Sequence, residues 1–376
     1  MRILLVTNYQ PPHMGGIEYA AAALKECWLK LGHEVVWLTT DIPPGAFPRS
    51  KNNVRVPAAN FPERKWQINT PLINPFCLPL INRALNACDV VNVHSLAPGL
   101  ASFVMFLALR RRKPAVATQH VGVIPLANKM LDIFQKSFLC ATAKWGTGKG
   151  MKLTFVGEAV RQWFLDNAGI RPEQTVMTPA GIDHNVFFFA ADEERRRFRA
   201  KWRLDDKALN VLFVGRFYEK KGLPLIRQMA ETSQEIRFTL VGQGPISPAS
   251  WGLPNLRLIA YVSSAELREL YGAHDLFIMP SIGEGWPAVI PQAMACGLPC
   301  LISEETFLGY GKDRERFIIC RRDAAALKKA VLQFAAGTPL PDEQRFGLAK
   351  YARAQWDWER TAGIYLELFE KSLQIN

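Results

Sequence analysis

Pro280-Ser281-Ile282-Gly283-Glu284-Gly285-Trp286-Pro287 decides the reading of this 376-residue chain. It follows Asp275-Leu276-Phe277-Ile278-Met279, an apolar run of the kind a buried parallel strand carries, and Pro280, Gly283 and Gly285 break that strand into a loop. Glu284 is thereby placed at the carboxyl end of a strand, where an open α/β sheet holds its ligand. Beyond Pro287, residues Val289, Ile290, Ala293, Met294 and Cys296 recur with helical spacing until Gly297, and a further strand is predicted over Leu298 to Ser303. Pro291 suits the first turn of that helix, so Gln292 falls near its amino end, beside free N–H groups suited to an anion or a sugar hydroxyl. An isolated acidic loop of this kind is more often a solvated connection than a site, and other parts of the chain reverse that preference.

Outward from this loop the same strand–loop–helix grammar repeats. Strand Leu4 to Thr7 leads to His13-Met14-Gly15-Gly16-Ile17-Glu18, a helix over Ile17 to Leu31 stops at Gly32, and a strand over Glu34 to Thr39 completes a βαβ unit. Strands over Val90 to Val93 and Ala115 to Thr118 extend it into a doubly wound sheet. The proline-rich, polar stretch from Ile42 to Pro79 is expected to form loops. A second α/β series begins at Val211, with strands near Arg237 to Val241, Leu256 to Ile259, Leu276 to Met279, Leu298 to Ser303 and Phe317 to Cys320, after a linker near Gly181 to Phe189.

Cations gather where an anion would sit. Arg216 and Lys221 flank the turn after strand Val211 to Val214, and Pro224 opens the next helix, so a forked guanidinium, a point charge and helix N–H groups converge in a way that suits a diphosphate. A solvated basic turn is the bland alternative, and the Glu284 loop in the same sheet outweighs it. Gly15 and Gly16, between the first strand and first helix, let backbone N–H groups approach a phosphate or sugar, although a tight turn uses glycine equally well. No G-x-G-x-x-G is present, so nicotinamide or flavin binding lacks its fingerprint. His120 follows strand Ala115 to Thr118 and precedes Gly122, again at a strand's carboxyl end; His94 and His13 are weaker candidates at equivalent edges.

These motifs, in this order and spread from residue 3 to about residue 303, resemble the E-x7-E region and companion loops of retaining, nucleotide-sugar-dependent glycosyltransferases of family 4. Leu240-Val241-Gly242-Gln243-Gly244-Pro245 after a third strand belongs to the same pattern. The resemblance implies an α/β fold of two Rossmann-like doubly wound domains facing across a cleft, the GT-B architecture. It divides the chain into an acceptor-side domain over 1–183 and a nucleotide-sugar domain over 184–355, with a final helix over about 356–376 packing back on the first. It further implies that His120 lies close to the transferred sugar, that Glu284 holds sugar hydroxyls, and that Arg216 and Lys221 carry the leaving diphosphate. Gly15, Gly16, Gly244, Gly285 and Gln292 complete the expected donor site. The second Glu of the family pattern is Gln292 here; an amide can still bind a ribose hydroxyl, more weakly than a carboxylate.

Composition narrows the partners. Hydrophobic residues at 49% and charged residues at 21% are those of a globular chain long enough for two cores. The start is too short an apolar run for a signal peptide, and the Leu96 to Leu109 stretch is too short and too interrupted to span a bilayer, which implies a cytosolic protein. Seven cysteines without a C-x2-C pair suggest neither a disulfide framework nor a zinc site. A net charge of +12 favours an anionic partner; lacking any nucleic-acid-binding module, the chain points to phosphates and a membrane rather than nucleic acid. Arg110-Arg111-Arg112-Lys113, with Lys129, Lys136, Lys144, Lys149 and Lys152 interleaved among apolar residues, suits a surface helix on the anionic inner face of a cell membrane.

The expected function is transfer of a hexose from a nucleotide-diphosphate sugar to a glycan or lipid-linked acceptor, without metal or cofactor, in bacterial cell-surface glycan synthesis. A noncatalytic nucleotide-sugar-binding scaffold subunit and a sugar-nucleotide epimerase are the alternatives.

Overall fold

The computed structural model describes residues 1–11, 16–42, 50–61, 70–122, 128–337 and 339–374. The chain forms two compact units, Met1–Gly181 together with Trp358–Asn376, and Ile182–Asp357.

The first unit is built on a seven-stranded parallel sheet. Its strands are β1 (Arg2–Val6), β2 (Glu34–Thr40), β3 (Asn53–Val56), β6 (Val90–His94), β7 (Ala115–Gln119), β8 (Lys152–Phe155) and β9 (Thr175–Met177), ordered β3-β2-β1-β6-β7-β8-β9. A small antiparallel pair, β4 (Ala58–Ala59) with β5 (Leu72–Ile73), lies apart from it. Ile3, Leu4, Leu5 and Val6 are fully buried because β1 sits mid-sheet with helices over both faces, which is why its sequence is continuously apolar rather than alternating. Helix Gly16–Lys30 buries Ala20, Ala21, Leu24, Cys27 and Trp28 against one face. Helix Trp358–Gln374 closes the same layer: the Trp28 ring meets Tyr365 edge-on at 5.7 Å and Phe369 at 5.4 Å. The Tyr365 hydroxyl is bonded to Thr118, Thr154 and Thr178 at 2.8, 3.4 and 3.1 Å.

Three sequence expectations change here. The 42–79 stretch is not all loop: β3 pairs in parallel with β2, and Pro75–Cys77 and Leu78–Ala87 are helical. Asn53-Val54-Arg55-Val56 is too short to outweigh its polar, proline-rich flanks in a sequence reading. Strands β8 and β9 add two further members to the sheet. The lysine-studded helix ends at Gly148, so Lys149 caps it and Lys152 begins β8 instead of lying on a surface helix.

The second unit has a six-stranded parallel sheet. Its strands are β10 (Leu209–Val214), β11 (Ile236–Val241), β12 (Leu256–Ile259), β13 (Leu276–Met279), β14 (Cys300–Ser303) and β15 (Ile318–Cys320), ordered β12-β11-β10-β13-β14-β15. Chain order reverses between β10 and β13, just as it reverses between β1 and β6 in the first unit. Each sheet is therefore doubly wound, as expected, with a crevice at the carboxyl ends of its central strands.

Candidate active site

In the second unit the two loops flanking the crevice close on each other. The turn after β10 passes Arg216 and Lys221 and reaches Gly222, which has φ +83° and whose missing side chain leaves room for the Pro280 carbonyl. A Cβ there would overlap that oxygen, so only glycine lets the β10 turn touch the β13 loop. Ile282 N–H donates to the Lys220 carbonyl at 2.9 Å and seals the approach. The result is an ion pair, Lys221 Nζ to Glu284 Oε2 at 2.9 Å, with both side chains little more than a tenth exposed. Glu284 Oε1 is also buried and has no hydrogen-bond partner among the described residues. A buried carboxylate oxygen without a protein partner is uncommon and marks Glu284 as a candidate binding position.

The surroundings hold this pair in place. Buried Ser281, Ser303 and Thr306 bond one another beneath the β13 loop, with Ser281 Oγ and Thr306 Oγ1 at 2.9 Å. Tyr310 donates its hydroxyl to the Pro287 carbonyl at 2.9 Å and packs its ring beside Trp286. Gly244, in the loop after β11, lies against Phe217: a Cβ would stand 2.5 Å from the Phe217 carbonyl oxygen, so glycine brings this third loop onto the β10 turn. The Arg216 guanidinium rests over the Tyr218 ring at 5.2 Å. Gln292, on helix Val289–Ala295, accepts a long 3.4 Å bond from the buried Tyr271 hydroxyl at Oε1, which leaves its two N–H donors unspent there. Gly285 lies one residue past Glu284, and Pro291 occupies the helix's first turn.

Arg322 is a residue that the sequence reading missed. From just beyond β15 its Nε donates to the Pro280 carbonyl at 3.2 Å and an Nη to the Glu219 carbonyl at 3.5 Å, tying together the two loops that carry Glu284 and Lys221. The signal was a cation at the carboxyl end of a strand, obscured by its exposed neighbour Arg321.

In the first unit His94 ends β6 and His120 follows β7, so both lie at the sheet's carboxyl edge. They are bonded to each other, His94 Nδ1 to His120 Nε2 at 2.8 Å, and His94 Nε2 meets Asn92 Oδ1 at 2.8 Å. Burial, and then the neighbouring His120, hold His94 well below the ordinary imidazole range, and burial lowers His120 to about 4. Both rings are uncharged at neutral pH. Gly16 opens the first helix, with nothing within 4 Å of the place a Cβ would take. Gly15 and His13 lie outside the described residues.

A cavity of about 710 Å³ is found elsewhere, near the amino ends of β7 and β8. Arg110, Arg112, Lys113 and Lys149 line it with Phe106 and Trp145, and it holds none of the residues above.

Two family profiles match the chain, Glycosyltransferase Family 4 over residues 14–186 and Glycosyl transferases group 1 over residues 208–336. The chain belongs to the family 4 type of glycosyltransferases. This glycosyltransferase is 25% identical over 313 residues to a GDP-mannose-dependent alpha-mannosyltransferase of Mycobacterium tuberculosis, covering 80% of this chain and 78% of that one. It is 32% identical over 160 residues to the putative glycosyltransferase EpsF of Bacillus subtilis, a match that spans 39% of this chain and 41% of EpsF. Among solved structures, Anabaena HepE in complex with UDP superposes with a TM-score of 0.75 at 14% identity, over 99% of this chain and 100% of that one. The glycosyltransferase therefore has the GT-B fold, built from its two doubly wound sheets.

Proposed function

We propose that this glycosyltransferase moves a hexose, with retention of configuration, from a nucleoside-diphosphate sugar to a hydroxyl of a lipid-linked acceptor in bacterial cell-surface glycan synthesis. One observation carries the reading. At the β10/β13 crevice the little-exposed Glu284 carboxylate pairs with Lys221, a point charge of the kind that suits a diphosphate, while its second oxygen has no partner among the described residues. In the reaction the anomeric carbon–oxygen bond breaks and its electron pair leaves on the diphosphate. The acceptor oxygen bonds to the anomeric carbon, and its proton goes to the departing diphosphate. Arg216 and Lys221 stabilise that departing charge, so the chemistry asks for no metal ion and no cofactor. Glu284 Oε1 accepts a hydroxyl of the transferred sugar, and Gly244, Gly285 and Gln292 frame the donor; the family resemblance adds Gly16. A relative named for GDP-mannose and a fold neighbour bound to UDP support a nucleotide donor. The family resemblance assigns His120 to the transferred sugar. Retention follows from the family resemblance.

The acceptor side points to a peripheral enzyme on the inner face of the membrane. No helix among the described residues is long and apolar enough to cross a membrane. Helix Lys129–Gly148, however, begins with Met130, Ile133 and Phe134 at 80%, 64% and 59% exposure, next to Lys129 and Lys136. Large apolar side chains among lysines suit insertion at an anionic interface. Arg110, Arg112 and Lys113, at the end of helix Leu100–Arg110 and just past it, lie near the far end of helix Lys129–Gly148, with Trp145 and Lys149, about 22 Å along that helix from Met130 at 1.5 Å per residue.

Incubation of the purified protein with UDP-, GDP- and ADP-sugars and bacterial membrane lipids, in EDTA, tests the proposal through nucleoside diphosphate release. Lipid-dependent release that collapses in Glu284→Ala is expected. Donor binding without release across the panel would favour the scaffold reading, and acceptor-independent donor conversion would favour the epimerase.

A further inference from the structure

The hydrogen-bond chain that ends at His120 has a direction, and the direction can be read from its buried end. Asn92 lies on β6 with no exposed surface, and one atom of its amide faces the Val116 carbonyl at 3.2 Å. A carbonyl oxygen only accepts, so that atom is Nδ2, and the Thr118 hydroxyl 3.4 Å away is compatible with it. The other amide atom is therefore Oδ1, which faces His94 Nε2 at 2.8 Å and obliges that nitrogen to carry a proton. His94 is 1% exposed and uncharged, so its Nδ1 is bare and must accept. The atom 2.8 Å from it is His120 Nε2, which must donate. The rings lie 4.9 Å apart at 25°, a separation and tilt that suit nearly coplanar imidazoles meeting nitrogen to nitrogen. His120, uncharged in turn, is left with a bare Nδ1, and no second partner for this ring is found among the described residues.

We propose that Asn92 and His94 are positioning residues that fix His120 in one neutral tautomer, with Nε2–H turned into the protein and the Nδ1 lone pair free to accept a hydrogen bond from a substrate hydroxyl. His120 would thus meet the sugar as an acceptor and not as a cation or a donor. Two residues of β6 and one just past the adjacent β7 are spent on a choice that one histidine could not make alone, because an isolated neutral imidazole exchanges its proton between both nitrogens. The role toward the sugar rests on the transfer reaction proposed above; the proton order does not.

The test is a two-bond nitrogen–proton correlation spectrum of the full chain labelled with nitrogen-15 in its six histidines, at neutral pH. His94 and His120 are both expected as the Nε2–H tautomer. In His94→Phe, which keeps a ring but removes the acceptor, His120 should become a mixture of tautomers, and kcat should fall about tenfold with the donor KM unchanged. His94→Asn, which restores an acceptor near the Nδ1 position, should return the Nε2–H form. A native His120 protonated on Nδ1 overturns the proposal, as does a His120 tautomer unmoved by His94→Phe. The four remaining histidines report whether each variant is folded, and if His94→Phe does not fold, the native spectrum still decides the proton order. A correct order in a chain that transfers no sugar would leave the relay standing and sink the transfer reading.

Discussion

At the scale of single residues, the pairing of Lys221 with Glu284 joins two opposite charges in a nearly enclosed place. Both side chains are little exposed, so removing one partner strands the other's charge where water reaches it poorly. Glu284→Ala is expected to lower stability to urea by about 3 kcal/mol, and adding Lys221→Met should recover most of that loss, although both variants lose turnover. If the double variant is no more stable than Glu284→Ala alone, the ammonium was not stranded. The meeting place of Glu284 and Lys221 was legible in the sequence because each lies just past an apolar run that a proline or glycine ends, Pro280 before Glu284 and Gly215 before Lys221. Asn92 and Arg322 were not. A polar residue inside Val-Val-Asn-Val-His breaks the pattern without revealing its partner, and Arg322 matters only because two loops from distant parts of the chain pass beside it.

Among the elements, position depends on close approach between turns. Gly222 combines a left-handed backbone with a site that the Pro280 carbonyl already fills, so Gly222→Ala is strained twice over. A loss of about 2 kcal/mol or more in denaturant unfolding is expected, with donor binding weakened as the Lys221 turn backs away from the β13 loop. A variant as stable as the parent would show that the turn has another way to close. The buried central strands were legible because a parallel sheet covered on both faces demands unbroken apolar runs. The edge strands β3 and β9, and β8 next to the second edge, were not, since three or four residues with mixed polarity read equally well as loop, and only pairing with a neighbour makes them strands.

For the whole molecule, pH is the sharpest lever. His94, His120 and His274 are all lowered by burial, the last two to about 4, while an unfolded histidine titrates near 6.5. Between these values the unfolded chain binds protons that the folded chain refuses. Stability is therefore full above about pH 6.5 and is lost on acidification, each such histidine adding a slope of up to about 1.4 kcal/mol per pH unit. Thermal unfolding followed from pH 7 to 5.5 should show a falling Tm, less steep in His274→Gln; a flat profile would mean that these imidazoles charge freely in the folded state. The last helix carries a different consequence. Trp28 finds Tyr365 and Phe369 only after the chain has run through all of Ile182–Asp357, so on the ribosome the first-made unit is the last to be completed. Until residues 358–374 are synthesised, Trp28 and the three threonines that await the Tyr365 hydroxyl stay uncovered, a nascent surface that a chaperone could hold while the second unit folds ahead of the first.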